Sequence, residues 1–155
     1  MKFEHLVEIN DPLNPLIDPL TREQLWAGLK LHAEDPVPFV LGLDHCNIAE
    51  RTADGLRREL RFGRVPVKDT VTFRPNAQIH YRSEASPEVP AGTRTVTIEE
   101  PRPGELYVRF VYVTLPQGQD PVPPEYRKVM EQAYVQADID VIGHIRRLAE
   151  DGRLG

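Results

Sequence analysis

Residues 2–9 alternate, with Phe3, His5, Val7 and Ile9 on one side and Lys2, Glu4, Leu6 and Glu8 on the other. That period predicts a first strand with one wet face. Pro12, Pro15 and Pro19 follow, so residues 11–19 have room only for a short helical turn. Thr21-Arg22-Glu23-Gln24 has the spacing of a capping box, in which two orphan amides at a helix start are satisfied reciprocally. Leu25, Trp26, Leu29 and Ala33 lie at helical spacing behind it, and Pro36 and Pro38 stop a helix near 21–34.

From about 43 to 115 the period is two, giving strands at 43–51, 56–63, 67–74, 77–84, 93–100 and 105–115. Turn chemistry separates them: Thr52 to Gly55, Gly63 to Pro66, Pro75-Asn76, Ser86 to Gly92, and Pro101 to Gly104. Connections this short cannot carry parallel crossovers, so the sheet must be antiparallel. Pro116 ends the last strand, and a helix near 122–150 follows. Tyr126, Val129, Met130, Ala133, Tyr134, Ala137, Val141, Ile145 and Leu148 fall on one broad face of it, and Gly152 stands past its end. Val135, Ile139 and Ile142 form a second stripe, suited to the sheet rim or to another copy in a homodimer.

The expectation is a single α+β domain over residues 1–155. It holds a seven-stranded curved antiparallel sheet, two shorter helices after the first strand, and a long C-terminal helix. The inner face of such a sheet must be buried, and only the last helix is long enough to bury it. A strongly curved sheet wrapped on one helix cannot close along its whole length, so a cavity is expected between them.

This order, with the hairpins around Asp54-Gly55-Leu56-Arg57-Arg58-Glu59-Leu60 and Val65 to Phe73, resembles the helix-grip fold of the START and Bet v 1-like superfamily (SRPBCC). Within it the chain looks closest to the AtaL-like, polyketide-cyclase-like branch. The resemblance covers nearly the whole chain and implies a pocket for an apolar or aromatic small molecule. Carriers, hormone receptors, cyclases, dehydratases and co-chaperones share the fold, so it fixes no reaction.

Composition narrows the chemistry. The formal charge of −5 argues against a general nucleic-acid binder, and Arg57, Arg58, Arg61 and Arg64 are split between two strand faces with Glu59 interleaved. No apolar run approaches a membrane span, and Glu4 and Glu8 interrupt the N-terminus where a secretory signal would be apolar. A cytoplasmic protein without membrane insertion is the expectation. One cysteine, Cys46, excludes an internal disulfide and a multi-cysteine metal site, and on a strand its side chain points away from that of His45. Ser83 and Ser86 are the only serines, and neither sits in a Gly-x-Ser-x-Gly elbow. Phosphate-binding glycine loops and paired-histidine metal motifs are absent too, so neither a cofactor nor a metal is expected.

Strand parity selects the pocket candidates. Arg58 shares a face with Leu56, Leu60 and Phe62, and Asp69 shares one with Val67, Val71 and Phe73. With 63–66 as the loop, 62 pairs with 67 and 60 with 69, which makes Arg58 and Asp69 diagonal neighbours on the inner surface. Buried charges are costly unless paired, so the two are expected together, as a ligand-orienting pair or as a structural one. A two-residue Pro75-Asn76 loop puts His80 and Arg82 inside, with His80 a candidate general base; a three-residue loop puts Ile79 and Tyr81 inside instead. Phe110 and Tyr112 face inward on 105–115, Trp26 stands over the cavity mouth or in the core, and Met130 and Tyr134 come from the last helix. Three functions remain open: a carrier of an apolar small molecule, a cyclase or dehydratase that uses a pocket Arg, Asp or His, and a protein-interaction module.

Overall fold

The computed structural model describes residues 1–115 and 123–154. Seven strands form one antiparallel sheet: β1 (Lys2–Asn10), β2 (His45–Thr52), β3 (Gly55–Phe62), β4 (Val65–Arg74), β5 (Gln78–Ser83), β6 (Gly92–Glu99) and β7 (Leu106–Thr114). Their order across the sheet is β1-β7-β6-β5-β4-β3-β2, so hairpins make every neighbour except the first, where β1 closes onto β7. Helix α1 (Arg22–Glu34) follows β1, and helix α2 (Pro124–Glu150) ends the fold.

One helix follows β1 rather than two. Between Asp11 and Pro19 the chain is spent in turns, with Leu13 and Leu16 amides donating to the Asp11 and Asn14 side chains at 2.9 and 3.0 Å. Asparagine and aspartate side chains compete with the helical backbone in this way, and three prolines remove donors besides. At α1 the capping box forms as its sequence dictates: the Gln24 amide donates to Thr21 Oγ1 at 3.0 Å and the Thr21 amide to Gln24 Oε1 at 2.9 Å. Gly28 sets the distance between the helices, since a Cβ there would stand 2.5 Å from Cγ2 of Ile145.

Two registers settle which residues face inward. The β3–β4 turn has two residues, Gly63 and Arg64, not four, so Phe62 pairs with Val65 and Leu60 with Val67. Gly63 at φ +60° is suited to such a tight hairpin turn. Arg58 is therefore directly opposite Asp69 instead of diagonal to it. The β4–β5 loop takes the three-residue form, pairing Arg74 with Gln78 and Val71 with Tyr81. Ile79 and Tyr81 are buried as a result.

Helix α2 meets the sheet along the C-terminal part of the face its apolar pattern suggests, through Val141, Ile145 and Leu148, and not along the N-terminal part. Asp138, Val141, Ile142, Ile145 and Leu148 are buried, while Tyr126 and Val129 are 67% and 63% exposed. The buried line also passes through a carboxylate, Asp138, which an apolar count leaves out. It also absorbs Ile142 and leaves Ile139 exposed, so the expected Val135–Ile139–Ile142 stripe does not stand free as a unit. No described helix is long and apolar enough to cross a membrane.

Candidate functional site

Because the registers run straight across the sheet, inward side chains fall into rows. One row reads Phe73, Ile79, Val96, Phe110 and His5; the next reads Val71, Tyr81, Arg94, Tyr112 and Phe3. A third row reads Arg58, Asp69, Ser83, Gly92 and Thr114. The first is a filled core. In the third, Ser83 and Gly92 contribute almost no volume beside the longer Arg58 and Asp69, and the sheet is left hollow there. The hollow holds about 380 Å³. Pro36, Val40 and Leu43 of the segment after α1 close one side, and Met130 and Tyr134 of α2 close another. Leu60, Phe62 and Val67 form the β3–β4 edge, with Val89 and Pro90 facing them from the β5–β6 connection.

Two guanidiniums reach this space. Arg58 grips Asp69 with both arms, Nε to Oδ1 at 2.9 Å and Nη2 to Oδ2 at 2.6 Å. Its Nη1 donates to the Ala33 carbonyl at 2.8 Å, one of the carbonyls that the last turn of α1 leaves without an intrahelical partner. The pair is buried and ties α1 to β3 and β4. Arg94 lies with its Cζ 4.0 Å from the Tyr81 ring centre, and Arg58 lies 5.2 Å from the same centre. No carboxylate among the described residues forms an ion pair with Arg94, and its Nε is buried without a hydrogen-bond partner.

Behind the wall runs a second polar chain. Tyr112 donates its hydroxyl to the Asp138 carboxylate at 2.7 Å, and His5 Nε2 lies 2.7 Å from Oδ2 of the same group. The Tyr112 ring stacks on Tyr134 at 4.1 Å and 9°, and the His5 ring on Phe110 at 5.2 Å. Burial pushes the Asp138 carboxyl above the usual carboxylate range, against the pull of hydrogen bonds from Tyr112 and His5. Burial likewise pushes the phenols of Tyr81 and Tyr112 up, and both stay protonated at neutral pH. His32, also on the wall, is held well below its ordinary value, first by burial and then by the charges of Arg94 and Arg58. The Phe39 ring stands between His32 at 5.2 Å and His144 at 4.4 Å.

Of the sequence candidates, Arg58, Leu60, Asp69, Tyr112, Met130 and Tyr134 line the hollow. Val71 and Phe110 are buried in the rows beneath it. Trp26 packs edge-on against Phe73 at 6.1 Å and takes no part in the wall. His80 is on the outer face, where its Nδ1 meets the Thr95 hydroxyl at 3.0 Å. Burial raises the Cys46 thiol, which keeps it protonated. Among the described residues no group of three His, Cys, Asp or Glu side chains converges as metal ligands would. Sequence reasoning passes over Arg94, His32 and Asp138, and names Tyr81 only as the alternative to His80. Arg94 had a readable signal, since it keeps parity with Val96 and Ile98, whereas Asp138 and His5 are 133 residues apart and no local pattern joins them.

Comparison with known proteins agrees with this fold. The family model "AtaL: Acetylaranotin biosynthesis cluster protein L" matches residues 7–152. No curated protein matches the chain in sequence. Among solved structures the chain is similar to Ara h 8.0201, with a TM-score of 0.68 at 12% identity, over 95% of this chain and 98% of that one. It is also similar to the Zhui aromatase/cyclase from Streptomyces sp. R1128, with a TM-score of 0.63 at 17% identity, over 96% and 95%. A START superfamily protein from Mycobacterium smegmatis gives 0.63 at 13% identity, over 95% and 98%. At these identities the likeness is one of fold.

Proposed function

Because the chain belongs to the AtaL (acetylaranotin biosynthesis cluster protein L) family, within the START and Bet v 1-like fold, we propose that it binds an apolar, aromatic or polyketide-like small molecule in the hollow between sheet and gripping helix. The observation that carries this reading is the hollow itself, about 380 Å³ with aliphatic and aromatic walls around a few polar groups. That is the size and make-up of a small-molecule site. Apolar burial supplies the affinity, with Leu60, Met130 and Tyr134 touching the ligand's body and Val71 and Phe110 as the packed layer below. Arg58 and Asp69 shape the wall, and Tyr112 presents its hydroxyl oxygen to the ligand. The test is fluorescence of a neutral probe, N-phenyl-1-naphthylamine. Wild type should bind it at micromolar concentration, and Leu60→Trp, which fills the hollow, should weaken binding at least tenfold. Equal binding by both proteins would place the probe elsewhere and overturn the reading.

A second reading, an enzyme of cyclase or dehydratase type, is favoured by one observation: a wall hydroxyl backed by a buried carboxylate and an imidazole. A substrate proton would pass to Tyr112 Oη while the phenolic proton passes to Asp138, so that no charge is left on the phenol. Native mass spectrometry of protein from its own host separates the two readings. An enzyme with Asp138→Asn should retain an unprocessed molecule, heavier by one water for a dehydration, where wild type retains the product. The same molecule in both proteins would leave the carrier.

A further inference from the structure

Arg94 is the group in the hollow whose chemistry the fold leaves unfinished. Arg58 has its arms occupied by Asp69 and the Ala33 carbonyl. Asp138, the next buried carboxylate, is engaged by Tyr112 and His5. Arg94 has one flat side against the Tyr81 ring and a buried Nε with no partner, and among the described residues it has no ion pair. A buried donor left unsatisfied costs about 1–3 kcal/mol, more when charged, and such groups in native proteins commonly await a water, an ion or a ligand. Arg58 and Arg94 share the space with one lining carboxylate, Asp69, which Arg58 already occupies; Asp138 acts on Arg94 only from behind Tyr112, and the protonation of His32 is suppressed in part by both guanidiniums.

We propose that Arg94 anchors an ionised oxygen of the ligand, so that the pocket selects acidic aromatic molecules, those bearing a phenolate, enolate or carboxylate, over neutral ones of the same shape. This rests on the small-molecule reading above and adds the ligand's charge to it. The guanidinium donates to the oxygen with strengthened, charge-assisted bonds in a space poor in water, and its stacking on Tyr81 fixes the plane in which the oxygen must arrive. A planar conjugated ligand meets that plane edge-on while its apolar body lies against Leu60, Val67 and Tyr134.

Umbelliferone, a fluorescent hydroxycoumarin whose phenol ionises near neutrality, tests the two claims separately. Its neutral and anionic forms differ in spectrum, so one titration reports binding and ionisation together. With wild-type protein the bound dye should ionise at least one pH unit below the free dye, which by linkage means at least tenfold tighter binding of the anion. Arg94→Met should abolish that preference while binding the neutral form within about threefold, and Arg94→Lys should keep part of it. A bound dye that ionises at its solution value, or higher, would overturn the role of Arg94 and leave the pocket standing. Failure of wild type to bind either form would overturn both. The wild-type titration decides the matter even if a variant does not fold.

Discussion

Arg58 and Arg94 enter the same hollow and lie over the same tyrosine ring, yet the fold holds them in opposite ways. Arg58 is neutralised by a two-armed carboxylate and also fastens a helix end, so its surroundings are complete without a guest. Arg94 stacks on Tyr81 and has only the phenols of Tyr81 and Tyr112 and the more distant charges of Asp138 and Asp69 to hold it, and it leaves a buried nitrogen unsatisfied. A cation in a protein interior is therefore not evidence of a binding role until its partners are counted. By that count Arg58 belongs to the architecture and Arg94 to the site.

The contrast can be broken most sharply at Asp69. Asp69→Ala leaves Arg58 buried and unpaired and should cost about 3–5 kcal/mol in urea unfolding; a loss below 1 kcal/mol would mean that Arg58 is not structurally committed. Next in size is an acid limb from His32. Its native pKa lies below the unfolded one, so the unfolded chain takes up the proton first as pH falls below about 6.5. Stability is complete above that pH and declines below it, with a slope of at most about 1.4 kcal/mol per unit. His32→Gln should remove that slope, and an unchanged acid limb would show that neither burial nor the two guanidiniums hold His32 below its unfolded value. Asp138, whose carboxyl is raised, acts oppositely: its burial penalty is greatest at neutral pH and is relieved by protonation in acid. Arg94→Met should change stability by less than about 1 kcal/mol, since it removes no ion pair and relieves an unsatisfied donor. The smallest effect belongs to Arg57, next to Arg58 but on the wet face, 3.4 Å from Glu50 with both side chains more than half exposed. Arg57→Ala should cost under about 0.5 kcal/mol.

Much of the fold is legible in local chemistry. Thr21 and Gln24 announce the start of α1, and the two-residue period places Arg58 and Asp69 on one inner face. What local chemistry leaves open is loop length. The turns at 63–64 and 75–77 each contain a proline nearby that suits more than one hairpin, and a one-residue change sends every following side chain to the other face. That is why strand parity alone leaves His80 and Tyr81 interchangeable, and the three-residue loop decides for Tyr81. On α2 the inner face is legible from Tyr134 to Leu148 except at Asp138, whose burial makes sense only beside Tyr112 and His5, residues far away in the chain. The site was legible where its residues share a strand with apolar neighbours, and silent where one polar side chain is explained by another across the fold.

The closure of β1 onto β7 has a consequence in time. The first strand made is hydrogen-bonded to the last one, and His5 reaches across 133 positions to Asp138. At a synthesis rate of about 5–20 residues per second, β1 waits roughly 5–20 seconds on the ribosome before its neighbour exists. Throughout that interval Phe3, Val7 and Ile9 have no sheet to join, so the nascent chain carries a bare adhesive edge and gains cooperativity only as its C-terminal third emerges.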